Sequence, residues 1–571
     1  MAGFPARRRR KCRYRVMSEN RNSSIKKSFI AGSLTSSAGV FVSKLIGLFY
    51  VIPYTSIATE ENMVFYSNAY SLYNSLLQVC SAGLPFAIAA LVSKYIDKDD
   101  YRTALLVRKL GTGMLSVFGF FMMMMFALLS GPLAKSALGP QATEIDIHRM
   151  QTTYRILSMA LFLVPLLYSY RGFYQGFKEM KAYADSQVIE QIVRVLFLLA
   201  ASWVFVYVFH LDRIWAVYMG VLATSIAAIA GILYFVRFDR AHIGAVNRAA
   251  RNQVQQPVER NSLIKELLAF GIPYVITGVL GNSQALVNAQ FFIPTATKFG
   301  MKYEDARLML SIIQLQCDKI SSIPQVLSVG FCAGIVPYLT ISYERRDWVQ
   351  LQKNVREALD TVLYIALPVC YCIFALARPI YYIMYGGANL DAGEGALRWE
   401  ALLALITTIS PICNTMLMTL HQRRQSFYYL AIGFAIKCLS FYPLIKYTGY
   451  IGAITSSCLC DGAFIFLALS RINSTFKVTY GRTLKRMMKI LLCCLCMQGG
   501  FSLLRLAGFV VTESSRGMAV LQFAVYGIVG IAIYVWTTSR MKLPQSIFHM
   551  PLRTMIRRLL SQLSRHHHAA R

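Results

Sequence analysis

The stretch VSKLIGLFYVIPY, Val42 to Tyr54, lies inside a mostly apolar run from Phe29 to Ile57 and carries Lys44 near its middle. A run of this length crosses a hydrocarbon core of about 30 Å as a single helix. A lysine at the centre of such a helix costs about 2.5–3.5 kcal/mol on insertion scales. Residues three and four positions away are Val40, Phe41, Gly47 and Leu48, so Lys44 has no acid on its own helix face. It needs a partner on another helix, or an aqueous cavity holding an anion.

Working outward, the same apolar texture fills the chain. Of its 571 residues, 56% are hydrophobic and only 15% charged, where a soluble domain carries about 25% charged residues; mean hydropathy is +0.46. Backbone groups in lipid must be satisfied within the segment, so the recurring runs predict helices, and the alternation of a membrane β-barrel is absent. Fourteen spans are predicted, at about 28–57, 63–94, 104–130, 152–172, 183–209, 214–237, 263–296, 306–341, 357–385, 396–420, 425–446, 450–470, 484–508 and 517–538. Spans two, seven and eight are longer than a bilayer needs and must tilt, bend or protrude.

The net charge of +32 would suggest nucleic acid in a soluble protein, but here the basic residues punctuate hydrophobic helices. With the N-terminus inside, 43 Lys and Arg fall on the inner side and 11 on the outer, leaving five within spans. That bias predicts two cytoplasmic termini and an even number of spans. The organisation follows: a basic cytoplasmic tail over 1–27, a first lobe of six helices over 28–237, a polar basic linker over 238–262, a second six-helix lobe over 263–472, two further helices over 484–538, and a basic amphipathic tail over 540–571 suited to an anionic leaflet surface. The opening is no cleavable signal, because no apolar core follows its arginines directly, and either Met1 or Met17 serves as a start. A faint internal repeat, with Lys181 set against Arg424, places Arg194 opposite Lys437. Parallel repeats of this kind are a transporter architecture with the site between the halves.

Ionisable residues inside spans are functional candidates. Glu190 and Arg194 are one turn apart and can pair. Asp318 and Lys319 are adjacent on span eight and point in different directions. Lys437 and Asp461 can form a structural pair between spans eleven and twelve. Arg378, near an outer helix end, is expected to snorkel to the interface. These spans hold five cations, Lys44, Arg194, Lys319, Arg378 and Lys437, and three acids, Glu190, Asp318 and Asp461, a surplus that suits an anionic substrate such as a pyrophosphate head group. Asn68, Ser71, Asn74 and Gln78 recur at three-to-four spacing on span two; Gln284, Asn288 and Gln290 mark span seven, and Gln314 and Gln316 span eight. They serve either as interhelical hydrogen bonds or as the lining of one polar cavity. No phosphate-binding loop, catalytic triad or metal-ligand set is present. Cys493 and Cys496 have CxxC spacing but sit in an apolar run, as small apolar residues do. The chain is therefore not expected to be an enzyme, to carry a cofactor or metal, or to bind nucleic acid. Its energy would come from a coupling ion, the membrane potential or the substrate gradient.

The segments KKSFIAGSLTSSAGVFVSKLIGLFYVIPY, YSNAYSLYNSLLQVCSAGLPFAIAALVSKYI and RGFYQGFKEMKAYADSQVIEQIVRV resemble the SpoVB/YtgP-type polysaccharide biosynthesis proteins of the MOP exporter superfamily, close to the MurJ-type lipid II flippases. The resemblance runs from about Lys26 to Arg471 and implies a MOP/MATE-like, all-α polytopic fold of two pseudo-symmetric six-helix lobes plus two C-terminal helices. It implies a monomeric flippase in the bacterial cytoplasmic membrane that moves a polyprenyl-pyrophosphate-linked sugar, such as the peptidoglycan precursor lipid II, by alternating access among membrane lipids. The polyprenyl tail would follow a groove bordered by the last two helices. Lys44, Lys319, Asp318, Gln78 and Asn74 would contact substrate, while Glu190, Arg194, Lys437 and Asp461 would shape the cavity or a gate. Two departures reduce the cavity's charge: Val51 stands where relatives often carry Arg, and Leu77 or Gln78 where a second-helix Arg falls. The alternatives are export of another lipid-linked glycan (capsule, teichoic acid, spore cortex) and a MATE-type cation antiporter, whose chemistry favours an intramembrane carboxylate in the first lobe.

Overall fold

The computed structural model describes residues 46–47, 50–81, 83–177, 179–253, 256–511, 513 and 515–548. Lys44, most of span one and nearly all of the C-terminal tail lie outside them. The described chain is helical from end to end. The helices are α1 Val51–Ala58, α2 Glu60–Ser81, α3 Leu84–Ile96, α4 Tyr101–Leu128, α5 Ser130–Leu138, α6 Glu144–Gly176, α7 Met180–Trp203, α8 Ile214–Arg251 and α9 Arg260–Lys298. They continue as α10 Tyr303–Ser311, α11 Asp318–Glu344, α12 Trp348–Ala375, α13 Ala377–Tyr385, α14 Leu390–Thr419, α15 Arg423–Thr448, α16 Ile451–Phe476, α17 Gly481–Leu506, α18 Arg516–Arg540 and α19 Leu543–Phe548.

Among the described residues, 11 helices are long and apolar enough to cross a membrane. The other three of the fourteen expected spans are the first, the second and the eighth. Span two is broken between α2 and α3, where Gly83 and Pro85 stand. Span eight is α10 joined to α11 through a π-helical stretch, Ile312–Cys317. Such wide turns interrupt helices where a local hydrogen bond is displaced, often at functional sites. The interruption ends at Cys317, immediately before Asp318 and Lys319. Span six corrects the expected boundary, since α8 runs on to Arg251 through half of the region read as a linker.

The two halves repeat a neighbour pattern. α7 pairs with α8 as α15 pairs with α16, α6 packs on α4 and α8, and α14 packs on α12 and α16. α17 and α18 pack on each other and against α12 and α13, around their own apolar cluster that includes Ile490, Met497 and Tyr526. α19 starts the basic tail by docking on this cluster through buried Leu543 and Ile547.

Core distribution differs between the two ends of the molecule. At the end carrying Glu60, one apolar core runs through both halves, from Tyr54, Phe65 and Tyr154 to Ile293, Leu310, Tyr381 and Ala453. At the end carrying Lys94 there are two separate cores. One holds Val92, Val107 and Phe235; the other holds Leu339, Leu351 and Ile472. The halves are thus fused at the Glu60 end and diverge toward the Lys94 end. α9 bridges them, with Leu263 and Leu267 in the first half's core and Phe292 and Ile293 in the shared one.

The break in span two lets α9 come close. A Cβ on Gly83 would lie 2.2 Å from the Gly271 carbonyl oxygen, whereas one on Gly113, on the open face of α4, meets nothing within 4 Å. Gly83→Val is expected to lower the thermal midpoint and the monodisperse fraction in detergent, because backbone must move to admit it. Gly113→Ala is expected to raise stability by about 0.5–1 kcal/mol through helix propensity alone. Fluorescence-detected size-exclusion thermostability measures both.

Candidate functional site: a polar cavity between the halves

The divergence leaves a central cavity of about 620 Å³. Its wall is built from one face of each of several helices. From α2 come Ser71, Asn74 and Gln78; from α9, Gln284 and Asn288; from the start of α11, Asp318 and Lys319; from α14, Glu400, Thr407 and Ser410; and from α16, Ser457 and Asp461. The i, i+3 or i+4 spacing on α2 and α14 follows from the helical period, which puts such residues on one side.

The expected polar ladder divides into two roles. Asn68 is fully buried, donates to the Ala289 carbonyl (2.7 Å) and accepts from the Tyr154 hydroxyl (2.7 Å), so it joins the halves rather than facing the cavity. Ser71 reaches the Ala285 carbonyl at 3.4 Å and stands at the cavity's edge. Asn74 and Gln78 line the cavity as expected. Gln316 is buried at the shared joint, accepting from the Tyr381 hydroxyl, while its carbonyl accepts from Tyr385 at 3.0 Å.

The charged residues also separate. Asp318 and Lys319 line the cavity, with the Lys319 Nζ 5.9 Å from the Tyr50 ring centroid. Lys437 and Asp461 do not pair, contrary to expectation. The Lys437 ammonium is enclosed by four neutral oxygens, Asn288 Oδ1 (2.8 Å), Ser457 Oγ (2.8 Å), Ser456 Oγ (2.9 Å) and the Ala453 carbonyl (3.0 Å). Asp461 instead accepts from Gln284 (2.9 Å) and Ser410 (3.5 Å). Arg378 does not snorkel alone. It holds Glu513 (2.6 Å), Asp391 (2.6 Å) and Glu394 (3.0 Å) at the Glu60 end.

Glu190 and Arg194 do pair, as their spacing predicts. The sequence reading missed the third member, Arg171 of α6. Its guanidinium reaches Glu190 at 2.7 Å and Ser186 at 3.0 Å, and lies 5.4 Å from the Tyr168 ring centroid. The signal was available in RGFYQG, an arginine at the end of an apolar span. Glu400 was missed too, although it falls inside expected span ten. With it, the described cavity lining holds Lys319 and three carboxylates, Asp318, Glu400 and Asp461. The cationic surplus expected from the spans is therefore not a property of this lining: Lys437 and Arg378 are consumed by other contacts, and Arg194 is matched to Glu190.

Glu190 holds two arginines in a setting where its side chain is 12% and that of Arg171 3% exposed. Removing one partner of a buried charge cluster costs on the order of 3–5 kcal/mol. Glu190→Gln is thus expected to lower the thermal midpoint of the purified protein by far more than Glu357→Gln, whose ion pair with Lys353 is longer, at 3.8 Å, and more exposed.

Residues 29–293 match the model of the polysaccharide biosynthesis protein family. Over 524 residues, 91% of this chain and 96% of the relative, the sequence is 25% identical to the lipid II flippase MurJ of Bacillus subtilis (strain 168). It is 20% identical over 377 residues to stage V sporulation protein B of the same organism, covering 64% of this chain and 68% of that protein. Among solved structures, it superposes on the lipid II flippase MurJ in an inward closed conformation with a TM-score of 0.63 at 15% identity, over 89% of this chain and 99% of the other. It superposes on an inward-facing multidrug resistance MATE family transporter of the MOP superfamily with a TM-score of 0.57, also at 15% identity, over 77% and 99%. These two likenesses speak for the fold alone. Residues 29–293 are thus similar to the polysaccharide biosynthesis protein family, and the fold is the one seen in the MurJ and MATE structures on which the chain superposes.

Proposed function

We propose that this chain is a flippase that carries a polyprenyl-pyrophosphate-linked sugar, foremost the peptidoglycan precursor lipid II, across a bacterial cytoplasmic membrane by alternating access. The observation that carries the reading is the polar cavity of about 620 Å³ between two halves that share a core at one end only. A hydrophilic head group needs such a compartment, because its hydroxyls and phosphates cannot be desolvated in hydrocarbon. Relationship to a lipid II flippase over nearly the whole chain supports the choice of substrate.

The Lys and Arg bias assigns the Lys94 end to the cytoplasm, so the cavity faces the side on which lipid-linked precursors are made. Lys319 would meet the pyrophosphate from the second half and Lys44 from the first, with Asn74 and Gln78 hydrogen-bonding the sugar. Glu190, Arg194 and Arg171 would fix the first half's wall, and Lys437 the second's. Both halves belong to one chain, so a monomer suffices. The acids of the lining lend some weight to the rival cation antiporter, although they come from the second half rather than the first.

In cells depleted of their own lipid II flippase, the wild-type chain is expected to restore growth. Lys44→Ala and Lys319→Ala, at equal membrane levels, are expected not to. Full rescue by either alanine variant removes that lysine from the mechanism. Absence of rescue by the wild type, with another lipid-linked glycan appearing outside the cell, moves the substrate to capsule, teichoic acid or spore cortex precursors. Export of cationic dyes in exchange for protons or sodium would instead support the antiporter.

A further inference from the structure

The lining of the cavity poses a problem for a purely anionic head group. Three carboxylates share the space with Lys319, and one of them, Glu400, has no counterpart. Its side chain is 6% exposed and lines the cavity, and it makes no hydrogen bond or ion pair among the described residues. A carboxyl so withdrawn from water is costly to ionise unless a counter-charge meets it, so an approaching cation would be the partner that ionises it. Gln314, elsewhere in the same lining, leaves both its side-chain amide atoms without a partner among the described residues. Asp461 differs, since Gln284 and Ser410 already serve it.

α11 and α14 lie side by side, held by the Cys317 thiol against the Gly393 carbonyl at 3.9 Å and by Gln325 against Thr407 at 3.0 Å. Lys319 and Glu400 both fall between these two contacts, so a cation and an unmatched anion face one compartment from adjacent helices. We propose that this site reads an amphoteric head group, in which Lys319 takes the pyrophosphate and Glu400 takes a primary ammonium carried elsewhere on the same lipid-linked glycan. The inference rests on the flippase reading and narrows it to glycans that bear a free amine, as the lysine of a peptidoglycan precursor peptide does. An ammonium suits the geometry better than a metal ion. Among the described residues no three His, Cys, Asp or Glu side chains converge as a metal-ligating group, whereas one carboxylate and an unpartnered amide of the same lining offer three acceptor oxygens for the three donors of an ammonium.

The test uses the full chain in lipid nanodiscs and two probes, lipid II with lysine as its third peptide residue and the same lipid with that lysine Nε-acetylated. The wild type is expected to bind the free amine roughly tenfold more tightly, the size of one well-formed charge pair. Glu400→Gln is expected to weaken the amine form, leave the acetylated form unchanged and bring the ratio near one, while Glu400→Asp retains part of it. Equal binding of both probes by the wild type, or an unchanged ratio in Glu400→Gln with the thermal midpoint preserved, overturns the ammonium site and leaves the flippase reading standing. Equal binding together with a sodium-dependent thermal shift that Glu400→Gln abolishes overturns it in favour of a coupling ion. Binding of neither probe overturns the flippase reading itself.

Discussion

Asn68 sits where the two halves meet, its amide bonded to a backbone carbonyl of α9 and to the hydroxyl of Tyr154 on α6. In a site closed to water, pulling α2 from α9 would strand both the amide and the carbonyl, and each would bear its full desolvation cost. Around this joint lie Arg307, which reaches Asp146 and the Glu61 carbonyl at 3.5 Å and stacks 5.1 Å from the Phe65 ring centroid, and Asn389, which donates to Glu60. Asn68 and Arg307 are buried beside the shared apolar core, and the Asn389–Glu60 contact lies at its exposed rim. Fusing the halves here, while each keeps a separate core at the other end, is what creates the cavity. At the Lys94 end α9 carries the main link, through Lys94 and Tyr95 to Glu266 and through its packing on α3.

The same economy governs the buried charges. In lipid an ionised group must find its counter-charge or dipoles within the protein, and this chain uses three solutions. Arg171 and Arg194 share Glu190. Asp360, with a side chain fully buried, meets Arg486 and so ties α12 to α17. Lys437 is solvated by oxygens alone. The first and third withdraw Arg194 and Lys437 from the cavity, which is why a count of charges along the sequence overstated its positive character.

Most of the architecture is legible in the sequence because hydrocarbon thickness fixes helix length and basic residues mark one face. Of the three spans judged too long, two and eight are broken in the structure, at Gly83 and at the π-helical stretch before Asp318, while seven continues as the single helix α9. The cavity position of Asp318 and Lys319 is implied by the resemblance, whereas the placement of Asn74 and Gln78 on one face follows from spacing. Pairing between helices does not. Nothing in the local sequence tells that Arg171 lies across from Glu190, that Asn288 rather than Asp461 faces Lys437, or that Arg378 reaches Glu513, 135 residues further on. Such contacts depend on how helices far apart in sequence rotate about their axes. Lys44, the residue on which the reading began, lies outside the described residues; three positions on, Gly47 packs on Gln191 of α7, 3.3 Å from where its Cβ would stand.

The internal repeat gains a physical meaning from this comparison. Arg194 on α7 and Lys437 on α15, set opposite each other by the repeat expected from the sequence, lie on helices with similar packing partners and are neutralised differently. A guanidinium keeps its charge under all conditions and can hold a carboxylate bidentately, so the first half gains a fixed ionic cluster. An ammonium is a compact point donor, and four oxygens at 2.8–3.0 Å satisfy it without any acid. Asp461, released from pairing with Lys437, faces the cavity instead. The cavity walls differ in polarity accordingly: one half spends its acid on arginines, and the other turns its acids toward the space where substrate would lie.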